Sequence, residues 1–115
     1  MAVRIIRNDT RIRARVTGGK EKMVYAVSEQ ALRDCNYYCR QDQGTLISSS
    51  HSASVPREGR LIWNTPYAKR VYYTGTPSKD VNPNASLMWC ETARNAFGED
   101  WDKIAQKTFS GGMGS

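Results

Sequence analysis

Apolar and polar positions alternate over residues 2–16 in two short runs, Val3 and Ile5, then Ile12, Ala14 and Val16. Arg11, Arg13 and Arg15 take the opposite parity of the second run. A period of two sets alternate side chains on opposite faces of a strand, so the segment predicts a hairpin with an apolar face and a basic face, turning at Asn8-Asp9-Thr10. The paired glycines Gly18 and Gly19 end it, because glycine accepts backbone conformations that other residues resist. The spacing then changes. Between Lys20 and Arg40, Val24, Val27, Ala31, Cys35 and Tyr38 recur every three or four residues. That period predicts an amphipathic helix of about five turns, packed on the sheet.

Leu46 to Val55 carries serines at positions 48, 49, 50, 52 and 54 and reads as an exposed or edge strand. Pro56 to Gly59 turns the chain. Leu61 and Trp63 predict the next strand, and Tyr67 to Tyr73 a further extended stretch or one irregular turn plus a strand, with Val71 and Tyr73 on one face and Arg70 and Tyr72 on the other. Residues 74–81, with Gly75 and Pro77, read as a loop. Asn82-Pro83 predicts a helix entry, since asparagine caps free amides and proline is tolerated at the first helical position. Ala85, Met88, Trp89, Thr92, Ala93, Ala96 and Phe97 then trace an apolar stripe at helical spacing. Gly98 breaks or bends that helix, and Trp101, Ile104 and Ala105 predict a shorter closing one. The expected fold is therefore α+β, a small antiparallel sheet packed against one long helix with further C-terminal helices. Residues 1–110 form one domain and residues 111–115, Gly-Gly-Met-Gly-Ser, a flexible tail with nothing to bury.

With 115 residues, 39% apolar and 24% charged, the chain has the composition of one globular domain. No apolar run approaches the roughly 20 residues that cross a bilayer, and the arginine-rich start lacks the apolar block of a signal peptide, so a cytoplasm-like compartment without a membrane is expected. The net charge of +6 is lopsided. Residues 1–24 hold seven cations against two anions, a local +5 that includes the basic arm Arg4, Arg7, Arg11, Arg13 and Arg15. A basic end is compatible with nucleic acid, with an acidic protein partner, or with solvated strand faces.

Catalytic and cofactor signatures are missing. Cys35 and Cys39 lie at i and i+4, but a structural zinc site needs four ligands, and Cys90 and His51 stand at no metal-site spacing; the thiols read as small buried hydrophobes, with no metal and no disulfide framework. His51 among serines, with Asp42 nearby, lacks the strained turn, oxyanion pocket and oriented base of a hydrolase. Glu99, Asp100 and Asp102 read as acids offsetting the positive end of a helix dipole. There is no P-loop, dinucleotide fingerprint or zinc-finger spacing, so neither an enzyme nor any cofactor is expected. Trp63, Tyr67, Tyr72 and Tyr73 alternate with Lys69 and Arg70; Trp63 and Tyr73 read as core, the rest as protein interface, where tyrosine and arginine are enriched.

These residues also carry a family resemblance over about residues 21–107. A helix leads into D-x-G-x-L-x-x-S, here Asp42, Gly44, Leu46 and Ser49. P-Y-A follows as Pro66, Tyr67 and Ala68, then N-P-x-A with a tryptophan as Asn82, Pro83, Ala85 and Trp89, with Ala93 one turn on. In this order the chain resembles the minor capsid and neck proteins of tailed bacteriophages, the HK97 gp10-like head–tail joining group. It departs from the pattern at Tyr72-Tyr73-Thr74-Gly75-Thr76, where the group often carries an acid and phenylalanine.

The resemblance implies a non-catalytic virion protein at the head–tail interface, assembled in the host cytoplasm. Copies would form a homo-oligomeric ring, six- or twelve-fold, with genomic DNA passing through the lumen. Head-closure or adaptor proteins would lie on one side and a tail terminator or tail tube on the other. Tyr67, Arg70 and Tyr72 are then the expected interface anchors, and the basic arm docks an acidic neighbouring ring. The competing reading is a small basic nucleic-acid-binding protein using the hairpin.

Overall fold

A computed structural model describes residues 2–6, 11–39, 45–75, 77 and 82–114. Its α+β architecture is the one expected: a three-stranded antiparallel sheet with helices packed on it. Strands β1 (Ala2–Ile6) and β2 (Ile12–Thr17) form the hairpin, and β3 (Arg60–Trp63) adds to β2 in the order β1-β2-β3. Ile12, Ala14 and Val16 are buried with Leu61 and Trp63 on the inner face, as the period-two pattern dictates. Gly18 ends β2 at φ 89°, the left-handed region that favours glycine. The turn at Asn8-Asp9-Thr10, and Arg7 of the basic arm, lie outside the described residues.

Helix α1 (Glu21–Tyr38) buries Val27, Ser28, Ala31, Leu32 and Cys35. It runs against the C-terminal helix, labelled α4 below, and this pair forms the principal helical packing.

The Ser-rich segment is a correction. Residues Thr45–Ala53 form a helix, α2, and not an edge strand. Alternate serines imitated a strand period, but Leu46 and Ser50, four apart, are the pair the helix buries. The serine hydroxyls return to the helix's own carbonyls, Ser49 to Leu46 O and Ser50 to Ile47 O, each at 2.6 Å. They also serve the free edge of the sheet. Ser54 Oγ accepts from Ile62 N at 2.8 Å and Ser49 Oγ from Asn64 N at 3.1 Å, so α2 covers an edge that would otherwise invite strand pairing.

Tyr67 to Tyr73 is likewise not extended. Ala68–Tyr73 form a short helix, α3, entered through the Ala68 N to Thr65 O bond. Six residues are too few to show a helical period, and their aromatic content favours a strand. Tertiary packing decides the matter by burying Ala68 and Tyr72 together, four apart on one helical face.

The Asn82-Pro83 helix entry is corrected too, since helix α4 runs Trp89–Gly114. Asn82 serves the end of α1 instead. Its Nδ2 donates to Tyr37 O and Cys39 O, both at 2.9 Å, and its Oδ1 accepts from Asn84 N. The last carbonyls of a helix have no intrahelical donor, and asparagine supplies one from outside. The chain is then stitched across to α4 by Ser86 N to Tyr38 O and Met88 N to Tyr72 O. Gly98 does not break α4, which passes through it. Trp89, Ala93, Trp101 and Ala105 keep one buried stripe across the glycine, and that packing outweighs a propensity cost of about 1 kcal/mol. The bounds of α4 take in residues 111–114, assigned above to the tail by composition.

The core closes on aromatic rings. Trp63 and Trp89 meet with centroids 6.1 Å apart and Tyr72 stacks edge-on to Trp89 at 4.6 Å. Trp63 Nε1 donates to Asn36 Oδ1 at 2.9 Å, and Asn36 Nδ2 to Ser50 Oγ at 3.0 Å, tying β3, α1 and α2 together.

Candidate assembly surface

The outer face of the sheet is strongly basic. Strand register sets Arg4 directly opposite Arg15, and Arg15 opposite Arg60, so three arginines form one row across all three strands. All three are exposed. The next row is Ile6, Arg13 and Ile62, each half-buried, so the face mixes cationic heads with apolar flanks. Arg11 extends it at the start of the hairpin's second arm. Facing residues on neighbouring antiparallel strands lie about 5 Å apart, and like charges there destabilise a sheet by several tenths of a kcal/mol. Arg60 is relieved by Glu58, at 3.1 Å in an exposed pair. Arg4 and Arg15 have no ion-pair partner among the described residues.

Of the basic arm, the structure therefore brings Arg4 and Arg15 together and adds Arg60, absent from the sequence reading. A signal for it existed: Arg60 has the parity opposite to Leu61 and Trp63, so a strand there had to present it outward.

The expected anchors divide. Arg70 is exposed on α3, and Tyr67 is half-buried with its hydroxyl bonded to Thr45 Oγ1. Tyr72 is fully covered within the chain, so it belongs to the core and not to a surface. The motif residues go the same way. Leu46, Ala68, Ala85, Trp89 and Ala93 are buried, Asn82 caps α1, and Asp42 and Gly44 lie outside the described residues. His51 is exposed in the last turn of α2. Glu99, Asp100 and Asp102 do not sit at a helix start; they are exposed well inside α4, which begins at Trp89.

The thiols converge in space although Cys90 is distant in sequence. Cys35, Cys39 and Cys90 are buried and unbridged. Burial pushes the Cys90 thiol well above its ordinary value, and the Cys35 and Cys39 thiols facing it add to that. The Tyr72 phenol is raised chiefly by burial, with Cys90 and Glu91 contributing. Among the described residues, no group of three or more His, Cys, Asp or Glu side chains is placed so that it could hold a metal ion. The consequence is a pH effect on stability. Folded Cys90 and Tyr72 keep their protons above about pH 8.5 and about pH 10, where the unfolded chain loses them. The folded state then binds more protons, so stability is full below about pH 8.5 and falls as pH rises, by up to about 1.4 kcal/mol per pH unit for each group. Urea unfolding under reducing conditions should show the midpoint falling between pH 8 and pH 10, with Cys90→Ala removing the earlier onset; a flat profile would contradict this.

The profile of one protein family, described as minor capsid protein, matches residues 3–109. The chain belongs to the phage minor capsid protein family. No curated protein and no solved structure matches it. As a minor capsid protein it is a structural component of the virion. No helix among the described residues is long and apolar enough to cross a membrane. The family match reaches into every element of the fold, stopping short of the last residues of α4. The buried motif residues of this minor capsid protein thus maintain its architecture, and the sheet face and α4 are where it presents charge.

Proposed function

We propose that this minor capsid protein acts in the head–tail connector, as a neck component of the HK97 gp10-like kind. Its copies form a six- or twelve-fold ring that joins the portal and head-closure layer to the tail, with DNA passing through the lumen and no catalysis. The reading is carried by a family match covering nearly the whole chain on a single small domain. That domain leaves charged faces open and buries the motif residues Leu46, Ala68, Ala85, Trp89 and Ala93 as scaffold. Rings arise when one patch of a subunit meets a different patch on the next and the rotation closes, which needs two unlike surfaces on one domain. Tyr67 and Arg70 are placed at contacts with adjoining layers.

The arginine row favours one other reading, duplex binding through phosphate contacts, which predicts affinity for DNA that weakens steeply with salt. The deciding experiment is electron microscopy of particles from a phage lacking this gene, with complementation as control. Full or leaking heads beside separate tails are expected. Normal infectious virions would refute the connector role and leave salt-dependent DNA binding by the isolated protein as the next test.

A further inference from the structure

We infer that the arginine row of one copy docks on the acidic stretch Glu99, Asp100 and Asp102 of the next copy, making the lateral contact of the assembly. This deepens the ring reading above and rests on it.

Two clusters, one basic and one mainly acidic, stand on one small domain with few ion pairs among the described residues. On the sheet, Arg4 and Arg15 are neighbours with no acid to meet them among the described residues, and Arg60 completes their row. On α4, Glu99, Asp100 and Asp102 are exposed and form no ion pair among the described residues, and Glu99 and Asp102 are three apart, a repulsive spacing on a helix. Because these acids sit far from the N-terminus of α4, offsetting its dipole does not account for them. The arginine row costs the isolated subunit stability, and that cost is relieved when it meets the acids of another copy.

Their placement fits a contact between copies and not within one. Val3 and Arg4 are consecutive on β1 and so project to opposite faces of the sheet. Val3 lines an open cleft of about 400 Å³ whose other walls include Gly98, Glu99, Trp101 and Asp102. The acidic cleft therefore lies on the side of the sheet away from the arginine row. Two complementary patches on opposite sides of one domain cannot satisfy each other in a monomer, yet they match head to tail between neighbours.

Gly98 supports the cleft as a docking surface. A Cβ there would meet nothing nearer than Arg94 Cγ at 4.0 Å, so the fold itself does not require glycine in the middle of this helix. Its missing side chain leaves open space in the cleft that Glu99 and Asp102 also line. Arg94 also lines the cleft, but its Nη1 is held by Val3 O at 3.3 Å. The flanking Ile6 and Ile62 on the sheet face favour a protein surface over a phosphate backbone, since interfaces pair arginine with apolar neighbours.

Two variants test the contact, Arg4→Glu with Arg15→Glu, and Glu99→Arg with Asp102→Arg. Assembly of purified protein is followed by sedimentation velocity and negative-stain microscopy, with circular dichroism to show that each variant folds. Wild type is expected to form closed rings. Each variant alone is expected to need at least about tenfold more protein to assemble, as for loss of close charge pairs across an interface. An equimolar mixture should assemble again, because alternating copies restore complementary charge at every contact. If wild type assembles and the variants assemble equally well, the contact is overturned while the ring reading stands. Failure of the mixture, with both variants folded, overturns it as well. If wild type forms no ring even with phage head and tail extracts, the ring reading falls and this contact with it. If Arg4→Glu with Arg15→Glu abolishes binding to duplex DNA and leaves assembly unchanged, the row serves nucleic acid and the contact is refuted.

Discussion

Trp63→Ala is expected to remove about 3–5 kcal/mol of folding stability, the range for deleting a large buried aromatic. Trp63 has no exposed surface. It stands where three elements meet, stacking on Trp89 and donating to Asn36 Oδ1 at 2.9 Å. Removing the indole leaves a cavity against Trp89 and deprives Asn36 of its donor, while Asn36 remains tied to Ser50. Those losses add, although Asn36 is half-buried, so leaving its acceptor unpaired costs less than the roughly 1–3 kcal/mol of a fully buried one. A domain of this size has only about 5–15 kcal/mol in hand, so the variant should populate unfolded chain at moderate temperature. Trp63→Phe keeps most of the volume and loses the hydrogen bond, so its loss should be clearly smaller. Urea unfolding followed by circular dichroism separates the two. Equal losses would show that the shared loss of the Asn36 bond dominates and that the cavity is not what matters there.

Gly59→Ala should cost about 2–4 kcal/mol, through backbone geometry and not through lost contacts. Gly59 sits at φ +75°, where a Cβ is strained whatever the space around it. Space is lacking as well. The added carbon would lie 2.3 Å from the carbonyl oxygen of Val16 and 3.1 Å from Val24 Cγ1. Val16 is in the central strand and its N–H bonds Gly59 O at 2.8 Å, so β2 cannot move aside without losing that bond. Gly98→Ala is the contrast. At that open helical position alanine should be neutral or stabilising, up to about 1 kcal/mol. Thermal unfolding of the two variants side by side gives the answer, and similar midpoints would contradict the steric argument at Gly59.

The positions legible in the sequence were those where a local period and burial agree. β1, β2 and α1 carry their alternation or their three-to-four spacing through the whole element, and β3 announced itself through Leu61 and Trp63. The misread segments are those where the local pattern and the tertiary role part company. Serines 48, 50, 52 and 54 alternate, yet they serve as helix back-bonds and as acceptors for the edge of β3. Asn82 has the chemistry of a helix cap and is one, but for the end of α1, more than forty residues earlier in the chain. Tyr72 has the composition of an interface residue, and the short α3 turns it inward against Trp89.

The charged site divides in the same way. The sequence by itself determined that the hairpin has a basic face, that no catalytic or metal-binding signature is present, and that the order of its motifs resembles that of phage minor capsid proteins, because strand parity and motif order are properties of neighbouring residues. Only the tertiary structure decided that Arg60 joins Arg4 and Arg15, that Cys90 reaches Cys35, and that the acids of α4 lie across the sheet from the arginines. Those relations depend on register between distant strands and on which face of a helix the core consumes, and both are settled by packing of the whole chain.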